Sequence, residues 1–226
     1  RNSPSWVPAD REEFDAFLTK TALPLNTAGR PNNHGSWGNL LRIAIAAYRD
    51  DGALISTSVA RHRRFIELQI GKDDEFTEEV RRNGTGDAGI GYSHFTLGPL
   101  AVTALIAENR GIELFDYVAP NGRTMEAAWR RLVPWTANPA TFPYFTGKDV
   151  AKISAVTTID HDYFDTAKTG LVAIRMGYFD LLQARWPVPA AAGIIDRLGP
   201  AALDSAAMQW LGLTHGAPVS PAASHP

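Results

Sequence analysis

Apolar residues recur at helical spacing along most of the chain, and glycine or proline separates the segments that carry them. This pattern predicts helices over about 10–18, 37–50, 54–70, 92–105 and 125–135. A further helix is predicted from residues spaced i, i+3, i+4 and i+7, namely Leu171, Ile174, Tyr178, Leu181 and Leu182. A stretch at 153–159 is β-branched enough for a short strand or an extended segment. The pattern as a whole predicts an all-α fold.

Capping residues and prolines indicate where these helices begin and end. Asp10 with Glu13 three residues later is typical of a capping box at the start of the first helix. Pro99 is expected close to the start of its helix, where proline is tolerated. That helix is apolar on nearly every side, as is typical of an inner helix. Pro187 and Pro189 are expected to stop the last predicted helix.

Composition narrows the class of protein. The length of 226 residues suits one domain, which we expect over 1–217, followed by a disordered tail at 218–226. The formal net charge of -2 favours neither nucleic acid nor an anionic membrane as partner. No run of about 18 apolar residues is evident, so no membrane span is predicted. The absence of cysteine excludes disulfides, thiol nucleophiles and cysteine-based zinc sites.

The candidate chemistry lies in two short segments, Asn32-Asn33-His34-Gly35-Ser36-Trp37 and Gly89-Ile90-Gly91-Tyr92. Asn and a neutral His can hydrogen-bond a substrate carboxylate, which makes the proton on the adjacent carbon more acidic. Tyr can remove that proton or protonate the departing oxygen. These are the groups that β-elimination on a uronic acid polymer needs. The simpler alternative is a turn-forming Asn pair, a His at a helix cap and a surface Tyr.

The pairing of these segments resembles the alginate lyase superfamily of polysaccharide lyases. The family motif reads Asn-Asn-His-(Gly or Ser)-(Ser, Thr or Tyr)-Trp, and the catalytic Tyr lies beyond the next helix. Weaker similarity extends from about Trp6 to Pro187. The resemblance implies an α/α toroid, here an incomplete barrel of antiparallel helix pairs that forms the C-terminal part of a larger toroid. It also implies an enzyme without cofactor or metal, secreted or periplasmic because its acidic polysaccharide is too large to cross a membrane.

The resemblance assigns a role to each matching residue. Asn33 and His34 would neutralise the substrate carboxylate, and Tyr92 would move the proton. Since a Tyr side chain has a pKa of about 10 in water, a Tyr that acts as base needs cationic neighbours or hydrogen bonds that favour the phenolate. In mannuronate or glucuronate the proton and O4 leave from the same face, and Tyr92 would serve both. In guluronate they leave from opposite faces, with His34 as base and Tyr92 as acid.

This chain lacks two basic residues of the family pattern. Many members carry an Arg seven residues before the Tyr and a His directly before it, whereas this chain has Thr85 and Gly91. Either Arg82 or Arg81 is expected to reach the site instead. The predicted substrate-binding residues are Trp37, Arg82, His94, Tyr144 and Lys148, of which Trp37 either lies beside the substrate or braces His34.

Other interpretations remain open from the sequence. Asp160-His161-Asp162 looks like a metal cluster, but consecutive residues rarely all face one ion, so no metal site is predicted. One rival is an α/α-toroid glycoside hydrolase that draws a carboxylate pair from Glu79, Asp87, Asp160 and Asp162. Another is a carbohydrate-binding remnant without chemistry. The oligomeric state and the choice of uronate stay undetermined.

Overall fold

The computed structural model describes residues 7–82, 89–138, 141–144 and 177–198, and these are mostly helical. A π-helical turn, Leu18–Ala22, joins the first two helices. The helices are α1 (Pro8–Phe17), α2 (Leu23–Leu25), α3 (Asn33–Arg49), α4 (Gly52–Gln69), α5 (Gly89–Glu108), α6 (Met125–Ala137), α7 (Phe179–Arg185) and α8 (Pro189–Leu198). Within the described ranges β structure is limited to one antiparallel bridge between Ile70 and Phe76. The predicted all-α class is confirmed.

Contacts divide the chain into two compact units. The first contains Arg1–Leu132 and Tyr144–Gly147, and the second contains Val133–Pro143 and Lys148–Pro226. The single domain over 1–217 stays a prediction, because much of the second unit falls outside the described residues. The predicted strand at 153–159, the tail at 218–226 and the helical positions Leu171 and Ile174 also fall outside them.

Two of the helix starts that differ from the sequence prediction are at prolines. The capping box at Asp10 is wrong, because α1 begins at Pro8 with Val7 as N-cap and no side-chain cap. Proline at the first helical position has a preset φ and needs no hydrogen-bond partner for its nitrogen, so it starts the helix without a polar cap. For the same reason Pro189, expected only to stop a helix, begins α8.

Helix α5 is the apolar inner helix, and it is longer at its N-terminus than predicted. Pro99 lies in its interior rather than near its start, and its ring nitrogen has no N–H to donate within the helix. By length and composition α5 could cross a membrane, with a mean hydropathy of 1.3. However, 78% of that apolar window is buried inside the protein, as in a core helix.

Helix α3 packs against both α4 and α5, and two of its glycines let the preceding loop lie directly on it. A Cβ at Gly35 would lie 1.6 Å from the carbonyl oxygen of Arg30, and one at Gly38 would lie 2.4 Å from the backbone nitrogen of Ala28. Neither position accepts a side chain unless the loop moves. The loop is thereby held beside the first turn of α3, where the Asn-Asn-His motif lies.

A histidine in α4 makes the stability of the fold sensitive to acid. His62 is 0% exposed, and within the described residues neither ring nitrogen has a hydrogen-bond partner. Burial, and secondarily the charge of Arg63, lowers the pKa of His62 to about 3 from 6.5. The folded state therefore keeps this ring neutral in a pH range where the unfolded chain protonates it, so stability is lost as pH falls below about 6.5.

We expect the free energy of unfolding to fall by about 2 kcal/mol between pH 7 and pH 5 through His62 alone. Urea denaturation at the two pH values measures this, and in His62→Leu the difference should shrink by that amount. His34→Gln, which replaces an exposed histidine, keeps His62 and should follow the wild-type curve. An equal pH dependence in wild type and His62→Leu would contradict the assignment.

Candidate active site

The side chain of Asn33 is anchored at the start of α3. Its backbone nitrogen and its side-chain Nδ2 both donate to Oε1 of Glu79, each at 2.9 Å. Asn32 is the N-cap, since its Oδ1 accepts from the backbone nitrogen of His34 at 3.1 Å. The helix therefore begins at Asn33 rather than near Trp37. Asn33 is 1% exposed, so its amide is almost wholly buried.

Glu79 connects Asn33 to an arginine. Its Oε2 accepts from Nε of Arg82 at 2.7 Å, and its Oε1 accepts from Nη2 of Arg82 at 3.4 Å. The Glu79 side chain is 1% exposed and that of Arg82 is 29% exposed. A hydrogen bond from the Arg82 backbone nitrogen to the Glu79 carbonyl closes the turn that carries both residues. The pair is a charge-assisted hydrogen bond in a largely dry setting, which favours a fixed geometry.

Arg82 in turn lies over the ring of Tyr92. Its Cζ is 4.9 Å from the ring centroid, within the range of a cation–π interaction. The hydrogen bond to Glu79 raises the pKa of Arg82 most, partial burial opposes it, and attraction to Glu79, Tyr92 and Glu78 adds to it. The guanidinium therefore stays charged beside the half-buried phenol ring. Of the two arginines left open by the sequence, Arg82 occupies this position.

His34 and Trp37 flank the anchored Asn33 on α3. His34 is exposed, and its carbonyl accepts from Thr27 Oγ1 at 2.6 Å, which holds this turn against the loop. The ring of Trp37 is half-buried, with its centroid 4.9 Å from that of Phe95 in α5. Among the described residues its Nε1 has no hydrogen-bond partner. Trp37 thus packs α3 against α5, and the two roles considered for it, a place beside the substrate or the bracing of His34, stay predictions.

His94 is 0% exposed, which argues against the substrate contact predicted for it. The reason is geometric, since residues two apart on a helix point about 200° apart. With Tyr92 at the edge of α5, His94 faces the packed interior. Proximity in sequence to the candidate Tyr suggested a shared site, but the helical period separates the two side chains.

Tyr144 belongs to a different cluster from Tyr92. Its ring lies 5.6 Å from Cζ of Arg81. Burial raises the pKa of Tyr144 most, the carboxylates of Glu75 and Asp73 raise it further, and Arg131 and Arg81 oppose them. Two carboxylates and two arginines thus influence this phenol, and its contact with a substrate stays a prediction. Lys148, the last predicted substrate-binding residue, lies outside the described residues, as do Thr85, Asp87 and Asp160-His161-Asp162.

The role of Glu79 was missed from the sequence, where it appeared only as a glycoside hydrolase candidate. The spacing of Glu79 and Arg82 is a signal that could have paired them, because a single turn brings residues three apart close together. Across the described part of the chain, no group of three or more His, Cys, Asp or Glu side chains could hold a metal ion. The structure therefore offers an amide, an exposed imidazole, a cation and a phenol, carried by α3, α5 and the turn between α4 and α5.

The protein is therefore helical and carries side chains of the kinds that bind an anion and transfer a proton. The alginate lyase family model matches residues 1–142. The chain belongs to the alginate lyase family, as the motif resemblance predicted.

Individual relatives agree with the family model. A polysaccharide lyase from Stenotrophomonas maltophilia (strain K279a) is 28% identical over 185 residues, which is 80% of this chain and 52% of the relative. A variant of alginate lyase A1-III in complex with a tetrasaccharide has a TM-score of 0.64 at 19% identity, over 85% of this chain and 52% of that one. An alginate lyase from Bacteroides ovatus has a TM-score of 0.63 at 20% identity, over 95% and 52%.

These likenesses confirm the predicted fold class, all-α and of the α/α toroid type. The chain spans about half the length of the relatives that it matches.

Proposed function

We propose that the protein cleaves a 1,4-linked polyuronate by β-elimination, leaving a C4=C5 unsaturated sugar at the new end. The observation that carries this proposal is the placement of the Arg82 guanidinium over the Tyr92 ring, linked through Glu79 to the Asn33 amide. The family membership supports it, as do the relatives described as polysaccharide and alginate lyases. A polymeric substrate of this kind would be met outside the cytoplasm, in the periplasm or the medium.

The substrate carboxylate would bind at the N-terminus of α3. The exposed imidazole of His34 would meet it first, and the Asn33 amide behind it has a second Nδ2–H, not bonded to Glu79, that would donate. The positive end of the helix dipole also favours an anion there. Neutralising the carboxylate makes the C5 proton more acidic and stabilises the charge that develops when it leaves.

Tyr92 would then move the proton. As a phenolate it takes hydrogen from C5, the electron pair of that bond forms the C4=C5 double bond, and the C4–O4 bond breaks. The new phenol returns the proton to the departing O4, so the Tyr ends as it began. The guanidinium of Arg82 stabilises negative charge on the phenol oxygen, which favours Tyr92 as the base. A base that also serves as acid needs both groups on one face, so we propose polymannuronate or glucuronan rather than polyguluronate as substrate.

The structure removes one candidate carboxylate from the glycoside hydrolase interpretation. Glu79 is buried and already accepts hydrogen bonds from Asn33 and Arg82, so it is not placed to protonate a leaving sugar oxygen. The other carboxylates of that interpretation lie outside the described residues.

Incubation with purified polymannuronate, glucuronan and polyguluronate tests the proposal. We expect ultraviolet absorbance from the unsaturated product with the first two, and slower or no formation with the third, because guluronate needs a base on the opposite face. A neutral β-1,4-glucan serves as the control, since it has no carboxylate to acidify the proton. Saturated reducing ends without absorbance would instead indicate a hydrolase, and binding without turnover would indicate a carbohydrate-binding protein.

A further inference from the structure

The carboxylate of Glu79 links Asn33 to Arg82 through hydrogen bonds. It accepts hydrogen bonds from the backbone and the side chain of Asn33 on one oxygen, and from both Nε and Nη2 of Arg82 across its two oxygens. Asn33 lies 46 positions away in the sequence, so this one side chain joins the first turn of α3 to the turn that precedes α5. It is 1% exposed.

A carboxylate in this setting would be costly if its hydrogen bonds were not made. Removing it from water is unfavourable by itself, and hydrophobic residues of similar size often stabilise a fold equally well. Here the carboxylate fixes the orientation of the side chains that donate to it. By accepting from Nδ2 it distinguishes the two ends of the Asn33 amide, and by accepting from Nε it orients the plane of the Arg82 guanidinium.

We propose that Glu79 is a positioning residue for the elimination, and this inference rests on the proposed function. Glu79 fixes the amide of Asn33 with one N–H left to face the substrate, and it holds Arg82 over the ring of Tyr92. One carboxylate thus positions two groups. These are the amide that would bind the sugar carboxylate and the cation that would stabilise the phenolate. Glu79 does not itself contact the sugar.

Glu79→Gln is the primary test, because glutamine has the same shape and keeps an acceptor for Asn33 while losing the charge that holds Arg82. With polymannuronate or glucuronan we expect kcat to fall about 30-fold, the size of a lost charge-assisted hydrogen bond, with KM changed by less than about threefold. Glu78→Gln is the matched control. It removes the neighbouring carboxylate, which is exposed, and should leave kcat within about twofold of wild type.

A double-mutant cycle separates positioning from simple stabilisation. If Glu79 acts through Arg82, then Glu79→Gln in an Arg82→Met background should cost little beyond Arg82→Met alone. Independent, multiplying losses would overturn the proposal. Arg82→Lys is a second variant in case Glu79→Gln does not fold. It keeps the charge but loses the planar fork, so kcat should fall while the thermal midpoint stays close to that of wild type.

The outcomes distinguish this inference from the proposed function. Wild type that forms unsaturated product, together with unchanged kcat in Glu79→Gln or in Arg82→Lys, overturns the inference alone. Wild type that forms no unsaturated product from any polyuronate overturns the proposed function and the inference with it.

Discussion

Replacing Tyr92 by phenylalanine is expected to reduce formation of unsaturated product about 1,000-fold or more, because acid–base groups contribute roughly 10²–10⁴ to such reactions. Phenylalanine keeps the ring that lies beneath Arg82 and removes only the hydroxyl. The fold should therefore survive, with an unchanged circular dichroism spectrum and thermal midpoint. The initial rate of ultraviolet absorbance with polymannuronate or glucuronan measures the loss.

Tyr117→Phe is the matched control for this variant. Tyr117 also lies beneath an arginine, with Cζ of Arg63 at 5.4 Å from its ring centroid, but it has no part in the proposed mechanism. Its replacement tests whether removing a phenol from an arginine-capped ring disturbs the protein in general. Wild-type rates in Tyr117→Phe are expected. Wild-type rates in Tyr92→Phe would remove Tyr92 from the mechanism and leave His34 as the proton-transfer group.

The two candidate segments were predicted from the sequence because residue type and spacing suggest such chemistry. Asn33 and Trp37 are four positions apart and so share one face of α3, where Trp37 meets Phe95 of α5. The same periodicity could have excluded His94, which lies two positions beyond Tyr92 on one helix and points into the core. That error came from treating closeness in sequence as closeness in space before the helix was assigned.

The electrostatic part of the site could not be read from spacing alone. Arg81 and Arg82 are adjacent in the chain, yet one lies against Tyr144 and the other against Tyr92. Which of two neighbours turns inward depends on the buried partner that orients it, and here Glu79 selects Arg82. A carboxylate 46 positions from Asn33 leaves no local pattern that marks their contact. Long-range polar contacts of this kind could not be predicted from the sequence and are visible only in the structure.

The two adjacent asparagines of the motif have different structural roles. Asn32 has an extended backbone and caps α3 with its side-chain oxygen, whereas Asn33 is the first helical residue and donates to a buried carboxylate. A cap requires an acceptor, which aspartate supplies as well as asparagine does. The position beside Glu79 requires a donor, which aspartate cannot supply when ionised. The same substitution should therefore be much more damaging at Asn33 than at Asn32.

Asn33→Asp is expected to destabilise the fold by about 3 kcal/mol at pH 7 and to reduce kcat/KM by about 100-fold or more. It places a second buried carboxylate where the Asn33 amide lies 2.9 Å from Glu79, and it adds a charge that repels the substrate. One member of the pair would have to hold a proton, so its pKa would be raised above the unfolded value. Such a group contributes stability at low pH that is lost as pH rises through the raised pKa, so the deficit relative to wild type should shrink between pH 8 and pH 5.

Asn32→Asp is the control, because it adds the same charge one residue earlier. The new carboxylate still accepts from the backbone nitrogen of His34 and lies at the positive end of the α3 dipole, so stability should stay within about 0.5 kcal/mol of wild type. Its charge should weaken substrate binding and raise KM without a comparable fall in kcat. Equal unfolding free energies for the two variants at pH 7, measured in urea, would show that the contact between Asn33 and Glu79 does not orient the first turn of α3. In that case the buried carboxylate would lose its connection to the substrate-binding end of the site, and only its hold on Arg82 would remain.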